Sequence, residues 1–304
     1  MDDRSQWPAE ISLIRTASPV GGLAMATTQP VAATLSLDRK LRILAWPGGT
    51  ERHAIDLGDR EIDVFAIAPD GRLVLVGDHK GRVNVWATDT GQSRLELQVR
   101  RYPGLAVFSR SGAMLALTSQ GDPVQLIDLA TGKAAATLGT PPEGTSVLAF
   151  SRDERLVATG DGDAAIRIHD ARSGRPIAEN REFLMTPLAI AFSADGRTVI
   201  AGSGDKALLF IDAATGKTAK RLARTPQPAA LIDVSPDGTL LAVGLMKSEN
   251  MSKPDHVFIL STDSGQQQVD WLPAVLPAGG GWTNDGRLLV AIPSPEGLHL
   301  WRLH

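Results

Sequence analysis

The 304-residue chain contains no cysteine, which excludes disulfides, thiolate nucleophiles and zinc held by sulfur, and leaves the redox compartment open. Aromatic residues make up 5% of the chain, with a single tyrosine, Tyr102. No apolar run reaches the ~18 residues that a membrane span requires, so no membrane insertion is expected, and no segment sustains a helical period. The amino terminus, MDDRSQWPAE, lacks a basic stretch followed by an apolar one. The chain therefore reads as cytoplasmic, with the periplasm as the alternative if a leader has been removed. There is also no excess of charge. The net charge is -3 and the pI is near 6.1, which gives no global attraction to nucleic acid.

Catalytic motifs are missing as well. The chain has no GxSxG elbow, HExxH, P-loop or CxxC. None of the six histidines (His53, His79, His169, His256, His299 and His304) has a partner at the i+2 or i+4 spacing of a metal pair. Asp161-Gly-Asp163 places two carboxylates in one turn, but a calcium site needs six to eight oxygen ligands and nothing nearby supplies the rest. Those aspartates read as turn formers. No catalytic residue, metal or cofactor is expected, and the chain is not expected to be an enzyme.

What is plentiful is turn chemistry, with 30 glycines and 19 prolines. Leu188–Leu222 shows the pattern most clearly: four short apolar runs separated by Asp195-Gly196, Gly202-Ser-Gly204-Asp205 and Ala214-Thr-Gly216. This reads as four strands and three tight turns. The residue that closes the first turn recurs at Gln29, Gly71, Gly112, Glu154, Gly196, Gly238 and Gly286, in steps of 42, 41, 42, 42, 42 and 48. The glycine after the third strand recurs at Gly49, Gly91, Gly132, Gly174, Gly216 and Gly265, in steps of 42, 41, 42, 42 and 49. Two independent markers thus share one period.

A 40–45-residue repeat of four strands is the signature of a β-propeller blade. The expected fold is all-β, a single seven-bladed propeller over 1–304, with blades near 21–57, 62–99, 105–138, 146–179, 188–222, 230–271 and 279–303. The seventh unit lacks a fourth strand. The spacing places the missing one at Ile11–Arg15, where it would pair with Leu298–Leu303 and close the ring, leaving no open sheet edge.

Two stretches, PDGRLVLVGDHKGRVNVWATDTG at Pro69–Gly91 and FSADGRTVIAGSGDKALLFIDAATGK at Phe192–Lys217, resemble the WD40-repeat family, and the likeness extends over essentially the whole chain. The Trp-Asp dipeptide is worn. Its Trp position reads Trp86, Ile127, His169, Ile211, Leu260 and Trp301, and Asp follows at Asp128, Asp170 and Asp212. The Gly-His pair of the family is absent. VQLIDLATGK and LLFIDAATGK are equally similar to YVTN repeats. His169 is expected to have a structural role.

The resemblance implies a non-enzymatic scaffold that binds a protein or peptide, as a monomeric propeller within a complex. Two alternatives remain: a small-molecule or cofactor-handling propeller of the YVTN, quinoprotein or lactonase type, and a structural subunit of a larger complex. In such propellers the second-to-third-strand loops share a face with the blade-to-blade connections. Candidate partner-binding residues there are Arg100, Arg101 and Tyr102, then Arg181, Phe183 and Met185, then Arg224. The six- or seven-residue excess at Leu245–His256 adds Lys247, Asn250 and Met251. Arg, Tyr and Met are enriched in interface cores, whereas a lengthened loop is cheap and by itself carries no function. Positions facing the channel are mostly aliphatic, with Asp233 the one clear charge.

Overall fold

The structure is a computed structural model that describes residues 9–15, 18–46, 48–100, 102–139, 144–222, 225–246, 254–271, 279–283, 286–294 and 297–302. It contains seven four-stranded antiparallel sheets. In six of them the four strands are consecutive in the chain. The first strands of these are Val20–Met25, Ile62–Ile67, Pro103–Phe108, Thr145–Phe150, Pro187–Phe192 and Ala229–Val234. In the last sheet, Gly279–Trp282, Leu288–Ser294 and Gly297–Arg302 are joined at the outer edge by Ala9–Arg15. That strand runs antiparallel to Gly297–Arg302, with Ala9 opposite Arg302 and Arg15 opposite Gly297. The first strands contact their neighbours in sequence order, and Val20–Met25 also meets Gly279–Trp282.

Within a blade, burial follows strand position. The second strands, such as Thr198–Ser203, are buried on both faces, as their unbroken aliphatic composition requires. The outer strands, such as Ser93–Gln98, alternate between exposed and half-buried. Apolar clusters lie between blades. One joins Ile166 and Ile168 of blade four to Phe192, Val199 and Leu209 of blade five.

The turns explain the sequence markers. Gly71, Gly112, Gly196 and Gly238 have φ of +71° to +79°, a conformation that costs an L residue about 1–2 kcal/mol. Ser151, Ser193 and Ser235 accept from the amides of Leu156, Thr198 and Leu240 at 2.9–3.0 Å, and each donates its hydroxyl to the Asp two residues on. The worn dipeptide keeps a local purpose. Asp128, Asp170 and Asp212 accept from the amides of Thr131, Ser173 and Thr215 at 2.7–2.8 Å.

The first strands begin earlier than the turn spacing suggested, because Pro103 and Pro187 are their opening residues. A first strand residue owes no ladder donor, so proline is tolerated there. A register shift follows within two or three residues of the start in all six of these sheets, and such bulges increase twist. Glycine near the end of the second strand sets the approach of the next blade. A Cβ on Gly160 would lie 2.7 Å from Pro187, and one on Gly202 would lie 2.7 Å from Ala229.

Candidate partner-binding face and channel mouth

Each first strand runs from one face of the disc to the other. One face, here called upper, carries the second-to-third hairpins and the blade-to-blade connections. Backbone hydrogen bonds tie these two groups together: the amides of Leu37, His79, Gly162 and Gly204 donate to the carbonyls of Pro19, Glu61, Gly144 and Thr186 at 2.9–3.2 Å. The lower face carries the Ser-x-Asp-Gly turns.

Three upper hairpins are braced by an Asp–Arg pair at i,i+4: Asp38–Arg42, Asp78–Arg82 and Asp163–Arg167. Asp78 is buried and also accepts from Arg60 at 2.9 Å. In blade four, Arg167 reaches Asp161 and Asp163 at 2.6 Å each and Glu179 at 3.1 Å. The hydrogen bond from Arg167, with the nearby Arg167 and Arg181 charges, holds the Asp163 carboxyl down to about 2 despite some desolvation, and raises Arg167 above its ordinary value. The Asp161-Gly-Asp163 carboxylates are thus engaged by guanidinium groups, and no cluster of metal-ligating side chains occurs among the described residues. The D-x-x-x-R spacing at 38/42, 78/82 and 163/167 was the sequence signal for this bracing, overlooked because i,i+4 is usually read on helices.

The candidate residues fare differently. Tyr102 is 38% exposed, with φ +49°, and its ring meets His79 edge-on at 4.3 Å. Met185 is 52% exposed and lies over Gly204. Arg100 is exposed and pairs with Asp122 at 3.4 Å. Arg181 is bound to Glu179 at 2.7 Å and Asp163 at 3.2 Å, so it also braces the blade-four hairpin. Phe183 requires a correction. It is 4% exposed and packs in the cluster between blades four and five, so it is core and not available to a partner. The outward residue is its neighbour Leu184, 78% exposed, which sequence reasoning missed together with Leu37, 71% exposed. Arg101, Arg224, Lys247, Asn250 and Met251 lie outside the described residues. Part of the blade-six excess is not loop at all: Leu245↔His256 and Met246↔Pro254 are strand pairs.

His169 is buried in its blade. Burial pushes its imidazole below the ordinary value, with Asp161 opposing, which fits the structural role expected for it.

At the lower end of the channel, a cavity of about 290 Å³ is lined by the ends of the first strands and by their turns. Arg110 and Arg152 border it from blades three and four, and Asp233 from blade six. Arg152 spans blade five and donates to the Pro236 carbonyl at 2.6 Å. Glu154 occupies the turn position held by glycine in five of the other six units, with φ +60°. Its carboxylate accepts from both the amide and the hydroxyl of Ser111 in the next turn, an anchor that offsets the ~1–2 kcal/mol of left-handed strain. Asp233 accepts from the amides of Trp282 and Val234, both at 2.9 Å. It keeps some contact with solvent, but its carboxyl is desolvated in the seam between sheets, and burial raises it to about 6 against those two hydrogen bonds.

Fold and repeat make the chain a WD-repeat-like β-propeller. Over 154 residues, 49% of the chain, it is 32% identical to WD repeat-containing protein SL1-17 of Schistosoma mansoni, a match that takes in 50% of that protein. The chain thus spans about half the length of this curated relative. No family model matches the sequence. Among solved structures, a chain of the crystal structure of the mitotic checkpoint complex superposes with a TM-score of 0.79, covering 95% of this chain and 93% of that one at 20% identity. At that identity the likeness is one of fold.

Proposed function

We propose that the chain is a non-enzymatic scaffold: a rigid seven-bladed ring, closed by its N-terminal strand, that binds a protein or peptide partner on its upper face. One observation carries this reading. Of the five large hydrophobic side chains exposed among the described residues, four (Leu37, Tyr102, Leu184 and Met185) project from upper-face loops, and the fifth, Ile177, lies on an outer strand. Exposed apolar groups gathered on one face mark interaction surfaces, and Tyr is a frequent anchor in them. The left-handed backbone of Tyr102 costs about 1–3 kcal/mol, a strain consistent with a presented side chain. The Asp–Arg braces pre-order the loops, which lowers the entropy lost on binding. Likeness to a member of a multi-protein complex agrees with this reading, and the seven sheets and the pairing of Ala9–Arg15 with Gly297–Arg302 support the closed ring.

The test compares proteins that co-purify with the tagged chain from its native host, by quantitative mass spectrometry. A Tyr102→Asp, Leu184→Asp, Met185→Asp variant is set against Ile177→Asp as a control for surface charge. Partners lost at least tenfold from the triple variant and kept by the control are expected. Equal recovery from both, with melting unchanged, would reject the upper face.

A further inference from the structure

One atom of the exposed apolar group on the upper face is chemically reactive. The chain has no cysteine, so the only sulfur that an oxidant can meet is thioether sulfur. Of the methionines whose burial is described, Met25 and Met114 are half-buried, whereas Met185 is exposed beside the exposed Leu184. Its seat is built by blade five. A Cβ on Gly204 would lie 3.3 Å from Met185 Cε and 3.5 Å from its Sδ, so the thioether rests over a bare glycine. At the matching hairpin position, marked by the same amide-to-carbonyl bond to the preceding connection, blades one and two carry the side chains of Leu37 and His79. The backbone around the seat is tied at two points. The Leu184 amide donates to Asp205 Oδ2 at 2.9 Å, and the Gly204 amide donates to the Thr186 carbonyl at 3.2 Å. Met185 is thus presented with one side against the glycine and the other open to solvent.

Oxidation at this sulfur changes the property that marks the upper face. A sulfur lone pair attacks one oxygen of hydrogen peroxide, the S–O bond forms as the O–O bond breaks, and a proton passes to the departing hydroxide. Thioether and peroxide give sulfoxide and water, with sulfur oxidised and peroxide reduced by two electrons. Gly204 covers one side, so the oxygen is added on the open side, where a partner would sit. A flexible apolar group becomes a polar, chiral one, and a sulfoxide buried without a donor lowers affinity about tenfold or more. We propose that Met185 is a peroxide-sensitive switch of the upper face, which holds its protein or peptide partner as the thioether and releases it as the sulfoxide. The switch rests on the upper-face reading given above. It is reversible, because methionine sulfoxide reductases return the thioether while a dithiol is oxidised to a disulfide and the oxygen leaves as water.

The full tagged chain and a Met185→Leu variant are each treated with hydrogen peroxide and then freed of it, and thermal midpoints confirm that both stay folded. Peptide mass spectrometry should show the sulfoxide forming about tenfold faster at Met185 than at Met25 and Met114, as exposure dictates. Capture is then scored for the proteins that the parent binds and the Tyr102→Asp, Leu184→Asp, Met185→Asp variant loses, with each chain compared against its own untreated sample. Peroxide should lower recovery by the parent about tenfold, and methionine sulfoxide reductase with dithiothreitol should restore it. For Met185→Leu the ratio of treated to untreated recovery should stay near one. Oxidation at Met185 no faster than at Met25 and Met114, unchanged capture by the oxidised parent, or an equal loss in Met185→Leu would overturn the switch and leave the upper face standing. Loss of no partner from the triple variant would reject the upper face, and the switch with it.

Discussion

Asp233 offers a direct test of how the seam between the last two sheets is held. In the folded chain its carboxyl is raised by burial from an ordinary 3.8 to about 6. A raised acid binds its proton more tightly folded than unfolded, so rising pH costs stability between about pH 4 and pH 6, and the loss is complete above that window. At ~1.4 kcal/mol per pH unit, the span from 3.8 to about 6 amounts to about 3 kcal/mol. Asp233→Asn removes this cost by fixing the side chain neutral. Asparagine offers one acceptor oxygen where the carboxylate uses two, toward Trp282 and Val234, and a lost hydrogen bond subtracts about 1 kcal/mol. The variant should therefore match the parent near pH 4 and exceed it by about 2 kcal/mol at pH 7.5. For a chain of this length that is a rise of roughly 3 °C in melting temperature. Urea unfolding at five pH values, read as variant minus parent, cancels the titration of every other carboxylate. A difference that stays flat with pH, or a variant less stable at pH 7.5, would refute the desolvated seam.

Two further outcomes follow from the packing. Gly202→Ala places a Cβ 2.7 Å from that of Ala229 on the next blade; overpacking of this kind costs about 1–3 kcal/mol, so the urea midpoint should fall, and an unchanged midpoint would show that the inter-blade spacing is compliant. Deletion of residues 1–16 removes the strand that pairs with Gly297–Arg302 and should lower the melting temperature by more than about 5 °C, on the order of several net hydrogen bonds; an unchanged midpoint would reject ring closure by this strand.

Legibility in the sequence followed the range of the forces involved. Turns were readable because their causes are local: the left-handed backbone at Gly196, and the Ser193 and Asp195 side chains that bond amides within five residues. The strands between them followed from their apolar runs. Connections between blades have no period, so Phe183 and Leu184 looked alike in sequence, and only packing against blade five turns one inward and leaves the other out. The channel mouth was less accessible still. Arg152 finds its partner carbonyl 84 residues away, across a blade that contributes no charge at the matching position. The departure from Ser-x-Asp-Gly at Glu154, with Arg152 at the variable position, was visible in the letters, but its meaning depends on which turns stand side by side.

The first strands are six residues long in the six sheets built from consecutive strands, which at ~3.3 Å per residue sets the two faces about 20 Å apart. That distance leaves the lower turns outside the direct reach of a partner seated on the upper rim. A molecule seated against the lower turns would neither shade nor crowd one on the upper rim, so occupancy of the two faces should be independent unless one partner reaches both. A single partner long enough to wrap the disc edge would gain from each local encounter, with the second contact made at millimolar effective concentration. The length of a strand, chosen by core packing, would thus also decide which partners gain avidity and which bind only once.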